Sequence, residues 1–278
     1  MSRPFPILHT AAMIVVAAVL FADGRTAAQA PAPAPPQFAT PVPPAPLFWR
    51  EPWRQTGAFD ASTNFRPAGG ITKAAVTSPD LELTLYDPGA KNIPRYAKTP
   101  PPGSYPTDWN GEACVQLSGF NQNPPPKQVP AGEPTDAPNL WTGVCETPVA
   151  VTLRHRTSFV NLTGNAKIRW VTRVSGFHVV RPLVKLASGT WLVGEYAEGG
   201  ASTNSQIFLE SEFAVSSVRW LQLDIERLVT RGTWVEKPDL ARVDEVGFVD
   251  LLPGSGHGWG GFVNVGTIAV YGKAVPRK

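Results

Sequence analysis

Five cations, Lys167, Arg169, Arg173, Arg181 and Lys185, fall within the stretch KIRWVTRVSGFHVVRPLVK at alternating positions of two extended segments. Side chains at i and i+2 of a strand share a face, so this spacing predicts one cationic surface. Planar guanidinium groups on it could hold the carboxylate of a uronate or a sulfate group bidentately. The competing arrangement is a solvated outer face, with Glu195, Glu210 and Glu212 from other strands pairing the arginines. A second constellation is Trp259 beside His257 in the glycine-rich segment GSGHGWGG, where the indole has little apolar company. A flat ring there could stack on the C–H face of a sugar. His155, His178 and His257 have spacings that match no zinc site. Arg154-His155-Arg156 could neutralise a uronate and move a proton, with Tyr196 or Tyr271 as the acid partner. Hydrolysis of a glycoside needs two carboxylates roughly 5–10 Å apart. Asp224, Glu226, Asp244, Glu245 and Asp250 offer many pairs and single out none, and Asp244 and Glu245 read as turn caps. No catalytic residue is assigned on these grounds.

The elements that must position these groups start after a leader. Arg3, the apolar run AAMIVVAAVLFA and Ala28-Gln29-Ala30 form a secretory signal over residues 1–30. The apolar run falls short of the ~20 residues needed to span a bilayer. With no cysteine at the cleavage site, a lipid anchor is not expected, so the mature chain should be secreted or periplasmic, with no integral membrane segment. Cleavage lowers the formal charge of +3 by one, to +2. So neutral a chain lacks the basic face of a nucleic-acid binder. Residues 31–46, PAPAPPQFATPVPPAP, form a proline-rich disordered leader. One domain is expected over 47–278, a size within the range of single β-sandwiches.

Only two cysteines are present, Cys114 and Cys145. In an oxidising compartment such a pair reads as one disulfide, contributing ~3–4 kcal/mol on chain-entropy reasoning. It would staple a long proline-rich loop with little periodicity of its own.

The rest reads as strands. In LELTLY, Leu81, Leu83 and Leu85 alternate with Glu82, Thr84 and Tyr86. Residues 167–196 read as three consecutive antiparallel strands turning at Ser175-Gly176 and Ser188-Gly189, with Ile168, Trp170, Val184 and Leu186 facing a core. Pro182 restricts its strand to an edge or a bulge. Trp170 and Trp220 read as core, LFWREPWRQ as a segment docked on the domain, and Glu226–Thr233 as a short helical turn. The sum is an all-β, two-sheet antiparallel jelly-roll sandwich with a long proline-rich loop.

The chain's end, Val243–Asp250 followed by the glycine loop and Ile268-Ala269-Val270-Tyr271-Gly272, resembles the closing strands of galactose-binding-like jelly-roll domains, among them carbohydrate-binding modules. The region 47–278 also resembles uncharacterised secreted bacterial proteins. The first resemblance implies non-catalytic binding of a glycan or cell-envelope polymer; the candidate contacts read from the residues are Trp259, His257, Arg169, Arg173 and Arg181. Such modules often carry a structural calcium, but no calcium-ligand motif matches here, so no cofactor is assigned and any metal is unknown. The alternatives are a jelly-roll polysaccharide lyase or glycoside hydrolase, and a structural or protein-binding envelope component.

Overall fold

The computed structural model describes residues 43–54, 71–88, 114–118, 138–142, 145, 147–175, 178–196, 198–199, 208–251 and 262–277. They fall in one compact unit, Val42–Lys278. The signal and the proline-rich leader up to residue 42 lie outside the described residues, as does most of the proline-rich stretch between the cysteines; the end of the leader is tied to the domain, with the Pro43 carbonyl accepting from Asn165 Nδ2 at 3.1 Å and the Pro46 carbonyl from the Gly272 backbone N–H at 2.9 Å.

The strands in chain order are β1 (Leu47–Glu51), β2 (Leu81–Tyr86), β3 (Gln116–Ser118), β4 (Asn139–Trp141), β5 (Val149–His155) and β6 (Ser158–Asn161). Next come β7 (Lys167–Ser175), β8 (Val179–Leu186), β9 (Trp191–Gly194), β10 (Glu198–Gly199) and β11 (Leu209–Ala214). The chain closes with β12 (Trp220–Asp224), β13 (Val229–Val235), β14 (Val243–Asp250), β15 (Phe262–Tyr271) and β16 (Lys273–Pro276). They form two antiparallel sheets, a jelly-roll-like sandwich. The smaller has six strands in the order β11-β7-β15-β4-β3, with β1 also on β15. The larger has ten, in the order β13-β12-β9-β8-β14-β5-β2, with β10 on β8 and β6 joining β14 to β16.

Period-2 patterning explains both sheets. On β5, Val149, Val151 and Leu153 enter the core between the sheets, where they meet Trp170, Trp220 and Phe248. Ile168, Trp170 and Val174 of β7 are buried there too. LFWRE becomes β1, which docks on β15 and buries Trp49. Trp53 follows in a left-handed conformation, φ 58°, which its indole helps to hold by donating to the Gly266 carbonyl at 2.7 Å. Cys114 and Cys145 form the expected disulfide, with Cα atoms 5.0 Å apart.

Three local expectations change. β8 and β9 make the hairpin at Ser188-Gly189, where Gly189 takes φ +88°. β7, however, pairs with β11 and β15 and belongs to the other sheet. Alternation reports which face is buried, not which strand lies alongside, and the chain changes sheets between β7 and β8. Pro182 sits in the interior strand β8, opposite Phe248. It is tolerated because β9 ends its pairing at Leu183 and β10 begins at Val180, so Pro182 faces the break between them. The Glu226–Thr233 segment is a turn leading into β13, and the turn buries Leu228 at φ 51°.

Candidate functional site

The outward face of the larger sheet carries its own buried cluster: Ala150, Leu183, Trp191, Val193, Leu223, Leu228 and Val249, with Tyr86 and Leu251 packed against it. Register arranges its centre as three rows across β5, β14 and β8. Arg154, Glu245 and Lys185 make the first row; Thr152, Gly247 and Leu183 the second; Ala150, Val249 and Arg181 the third. Tyr86 flanks them from β2, across from Ala150, and Trp191 from β9, across from Lys185.

The face is concave. Tyr86 and Trp191 stand four strand places apart, about 19 Å on a flat sheet, yet their ring centroids are 5.1 Å apart in an edge-to-face contact. The two rings therefore meet over the rows, and Trp191 is itself buried in the cluster. Gly247 makes the floor of the middle row. Its strand runs so close to β5 that a Cβ would lie 1.9 Å from the Val151 carbonyl oxygen.

Glu245 lies at the centre, 4% exposed. One carboxylate oxygen accepts from Thr152 Oγ1 at 2.6 Å and Tyr86 Oη at 3.3 Å, the other from Lys185 Nζ at 2.8 Å. Asp244 and Glu245 were expected to cap a turn, but they lie within β14. Pairing to β8 slips between Val243 and Glu245, and this bulge lets two successive carboxylates address one lysine. Lys185 Nζ is 3.5 Å from Asp244 as well. Asp244 also takes Arg154 Nε at 3.0 Å and an ion pair from Arg277.

Protonation follows from these contacts. Burial and then the Glu245 charge push the Tyr86 phenol well above its ordinary value, so it is a donor and not a base. Burial alone would raise the Asp244 pKa, but hydrogen bonds from Arg154 and Arg277 outweigh it and hold the carboxyl below its ordinary value. Asp244 therefore stays ionised and is unsuited to act as a general acid near neutrality. A group with a depressed folded-state pKa stabilises the fold above its unfolded value, and that contribution is lost as pH falls through the folded pKa. In chemical denaturation the stability gap between wild type and Asp244→Asn should thus be full at pH 6 and shrink steadily below pH 4. A gap independent of pH would contradict the arrangement.

The residues singled out by sequence scatter. Arg181 occupies a corner of the outward face. Arg169 is on the smaller sheet, paired with Glu210, and Lys167 pairs with Glu212 at 2.9 Å. Arg173 is buried, 3.3 Å from Asn264 Oδ1 and 4.7 Å from the Phe208 ring centroid. Arg169 and Arg173 thus do not share a surface with Arg181, because β7 and β8 lie in different sheets. Trp259 and His257 lie outside the described residues. His155 packs against Phe48, ring centroids 5.0 Å apart and tilted by 37°, whereas Tyr196 packs against Trp170 and Phe213 and Tyr271 lies under Lys167; the histidine and either tyrosine are not brought together. His178 is buried with Nδ1 2.6 Å from Asp250. No group of three or more His, Cys, Asp or Glu side chains that could hold a metal occurs among the described residues.

No protein-family model and no curated protein matches the chain. Among solved structures, a family 11 carbohydrate-binding module from Clostridium thermocellum, in complex with a β-1,3-1,4-mixed-linked tetrasaccharide, aligns at TM-score 0.32 and 12% identity, over 70% of this chain and 90% of the module. An exo-β-agarase aligns at TM-score 0.31 and 9% identity, over 59% of this chain and 22% of the enzyme. Arcelin-5, a lectin-like defence protein from Phaseolus vulgaris, aligns at TM-score 0.26 and 8% identity, over 70% of this chain and all of its own. Likenesses this remote carry no argument about what this chain binds, and the case rests on its own side chains.

Sequence reasoning overlooked Glu245, Thr152 and Tyr86 as one site. The available signal was a carboxylate inside the otherwise apolar run Val246–Val249 and its flank, together with an aromatic residue on the polar alternation of LELTLY.

Proposed function

We propose that this chain is an exported, non-catalytic carbohydrate-binding protein of galactose-binding-like type, holding a glycan or cell-envelope polymer on the concave outward face of its larger sheet. One observation carries the reading: Tyr86 and Trp191 meet over a buried carboxylate whose surroundings, Thr152 and Lys185, are fixed hydrogen-bonding groups. Concave sites that combine aromatic surface with a few convergent polar groups are the usual form of a small-ligand site. The disulfide fits an oxidising compartment, and among the described residues no helix is long and apolar enough to cross a membrane.

The locked protonation states of Tyr86 and Asp244 favour recognition over proton transfer. A protein-docking role would call for a contiguous apolar patch. The large exposed apolar side chains among the described residues, Leu47, Leu209, Val229 and Trp234, are instead spread over β1, β11 and β13. Trp259 and His257 belong to the proposal as a second contact.

Affinity electrophoresis through gels containing soluble polysaccharides tests the reading. At least one polymer should retard the protein, and Trp191→Ala should weaken that retention at least tenfold, about 1.4 kcal/mol, with unchanged far-ultraviolet circular dichroism. Retention unaltered in a folded Trp191→Ala protein, or no retention by any polymer, would overturn it. Trp259→Ala in the same gels reports on the second contact.

A further inference from the structure

Among the described residues, the cations around Glu245 on the outward face are engaged, and Arg181 is not. Arg154 pairs with Glu82 and Asp244, Lys185 with Asp244 and Glu245, and Arg277 with Asp244. Arg181, on the same face two residues before Leu183, is half-buried and has no hydrogen bond or ion pair among the described residues. Across from it on β14 is Val249, an apolar neighbour that offers the guanidinium nothing. Pro182 next in sequence restricts Arg181 to extended backbone. The Pro182 ring in turn is packed so closely on Gly194 that a Cβ there would lie 2.6 Å from the proline Cγ. The strand beneath Arg181 is thus closely packed, and Arg181 stands on it half-buried with no counter-charge among the described residues.

We infer that Arg181 is the anion-recognising residue of this face, so that its ligand is an acidic glycan carrying a carboxylate or sulfate group. The inference rests on the carbohydrate-binding reading and names its ligand class. A guanidinium binds planar oxyanions through two parallel N–H donors, which a lysine ammonium cannot reproduce. The neutralised first row supplies no further attraction for negative charge, so discrimination falls on this one residue.

The test uses the full chain in gels containing alginate (carboxylate), dextran sulfate (sulfate) or unmodified dextran (neutral), at fixed ionic strength. Alginate or dextran sulfate should retain the protein at least tenfold more strongly than dextran, and which of the two does so identifies the anion. Arg181→Gln should bring that retention down to the dextran level, and Arg181→Lys should restore only part of it. Arg50→Gln, which removes the same charge from β1 on the other sheet, should leave it unchanged. Neutral dextran bound as well as the acidic polymers, with binding lost in Trp191→Ala and untouched in Arg181→Gln, would overturn the inference and leave the carbohydrate reading standing. Equal losses in Arg181→Gln and Arg50→Gln would show net charge alone at work and also overturn it. No retention by any polymer would remove both.

Discussion

Alanine in place of Gly247 is expected to lower unfolding free energy by about 3 kcal/mol or more, shifting the thermal midpoint down by roughly 6–12 °C for a domain of this size. The added Cβ would lie 1.9 Å from the Val151 carbonyl oxygen and 2.7 Å from Thr152 Cα. Both atoms belong to the backbone of β5, so no side-chain rotation can relieve the clash. β14 must move away from β5 along a ladder that runs from Glu245 opposite Arg154 to Asp250 opposite Val149. That movement also parts Thr152 from Glu245, so any folded fraction should bind polysaccharide more weakly. Gly266→Ala is the matched comparison, because its Cβ would meet the nearest backbone oxygen at 3.3 Å and a shift of a few tenths of an ångström suffices. Equal denaturation midpoints for Gly247→Ala and wild type would refute the account.

Glu51→Ala should be comparably severe. The Glu51 side chain is fully buried. Oε1 accepts from the backbone N–H of Trp53 at 2.9 Å and of Thr77 at 2.8 Å, and Oε2 from Ser78 at 3.2 Å. Alanine leaves three backbone donors without that acceptor. At ~1–3 kcal/mol for each buried unsatisfied group, and less for the two that are only partly buried, a loss of about 3–5 kcal/mol is expected. Glu51→Gln should lose less, because its amide oxygen can still serve Trp53 and Thr77 while only the Ser78 contact fails. Urea denaturation of the three proteins should rank them wild type, Gln, Ala; a glutamine variant as unstable as alanine would show that the hydrogen bonds are not the source. The same carboxylate ties β1 to the segment leading into β2, and so links the two sheets by a polar contact.

Much of the architecture is legible in the sequence. The alternation of LELTLY put Leu81, Leu83 and Leu85 on one side and Glu82, Thr84 and Tyr86 on the other, and the inward side became core. Trp170 and Trp220 were read as core and are buried. The cysteines paired as expected because they had no other partner. The site was far less legible. Arg169, Arg173 and Arg181 look like one cationic stripe in a linear string. In space, Arg169 meets Glu210 and Arg173 is enclosed beside Asn264, while Arg181 faces a different surface. Asp244 and Glu245 read as turn caps in the sequence, and two consecutive carboxylates do not share a face of a regular strand. A bulge, which arises from the pairing with β8, makes that possible.

By itself, then, the sequence determined the longer strands with their buried faces, the disulfide and the two-sheet class, because each depends on alternation or composition read within a few residues; β3 in the proline-rich stretch and β13 after the Leu228 turn were not legible in it. Tertiary structure alone decided that β7 leaves the β8–β9 hairpin for the other sheet, that Tyr86 and Trp191 meet over Glu245, and that Arg181 has no counter-charge among the described residues. The physical reason is the same in each case. A strand's alternation selects its faces, but its neighbours are selected by hydrogen-bond ladders to segments far away in the chain, such as β7 with β15 and β5 with β14. The curvature that closes two rings over one carboxylate is a property of the whole sheet.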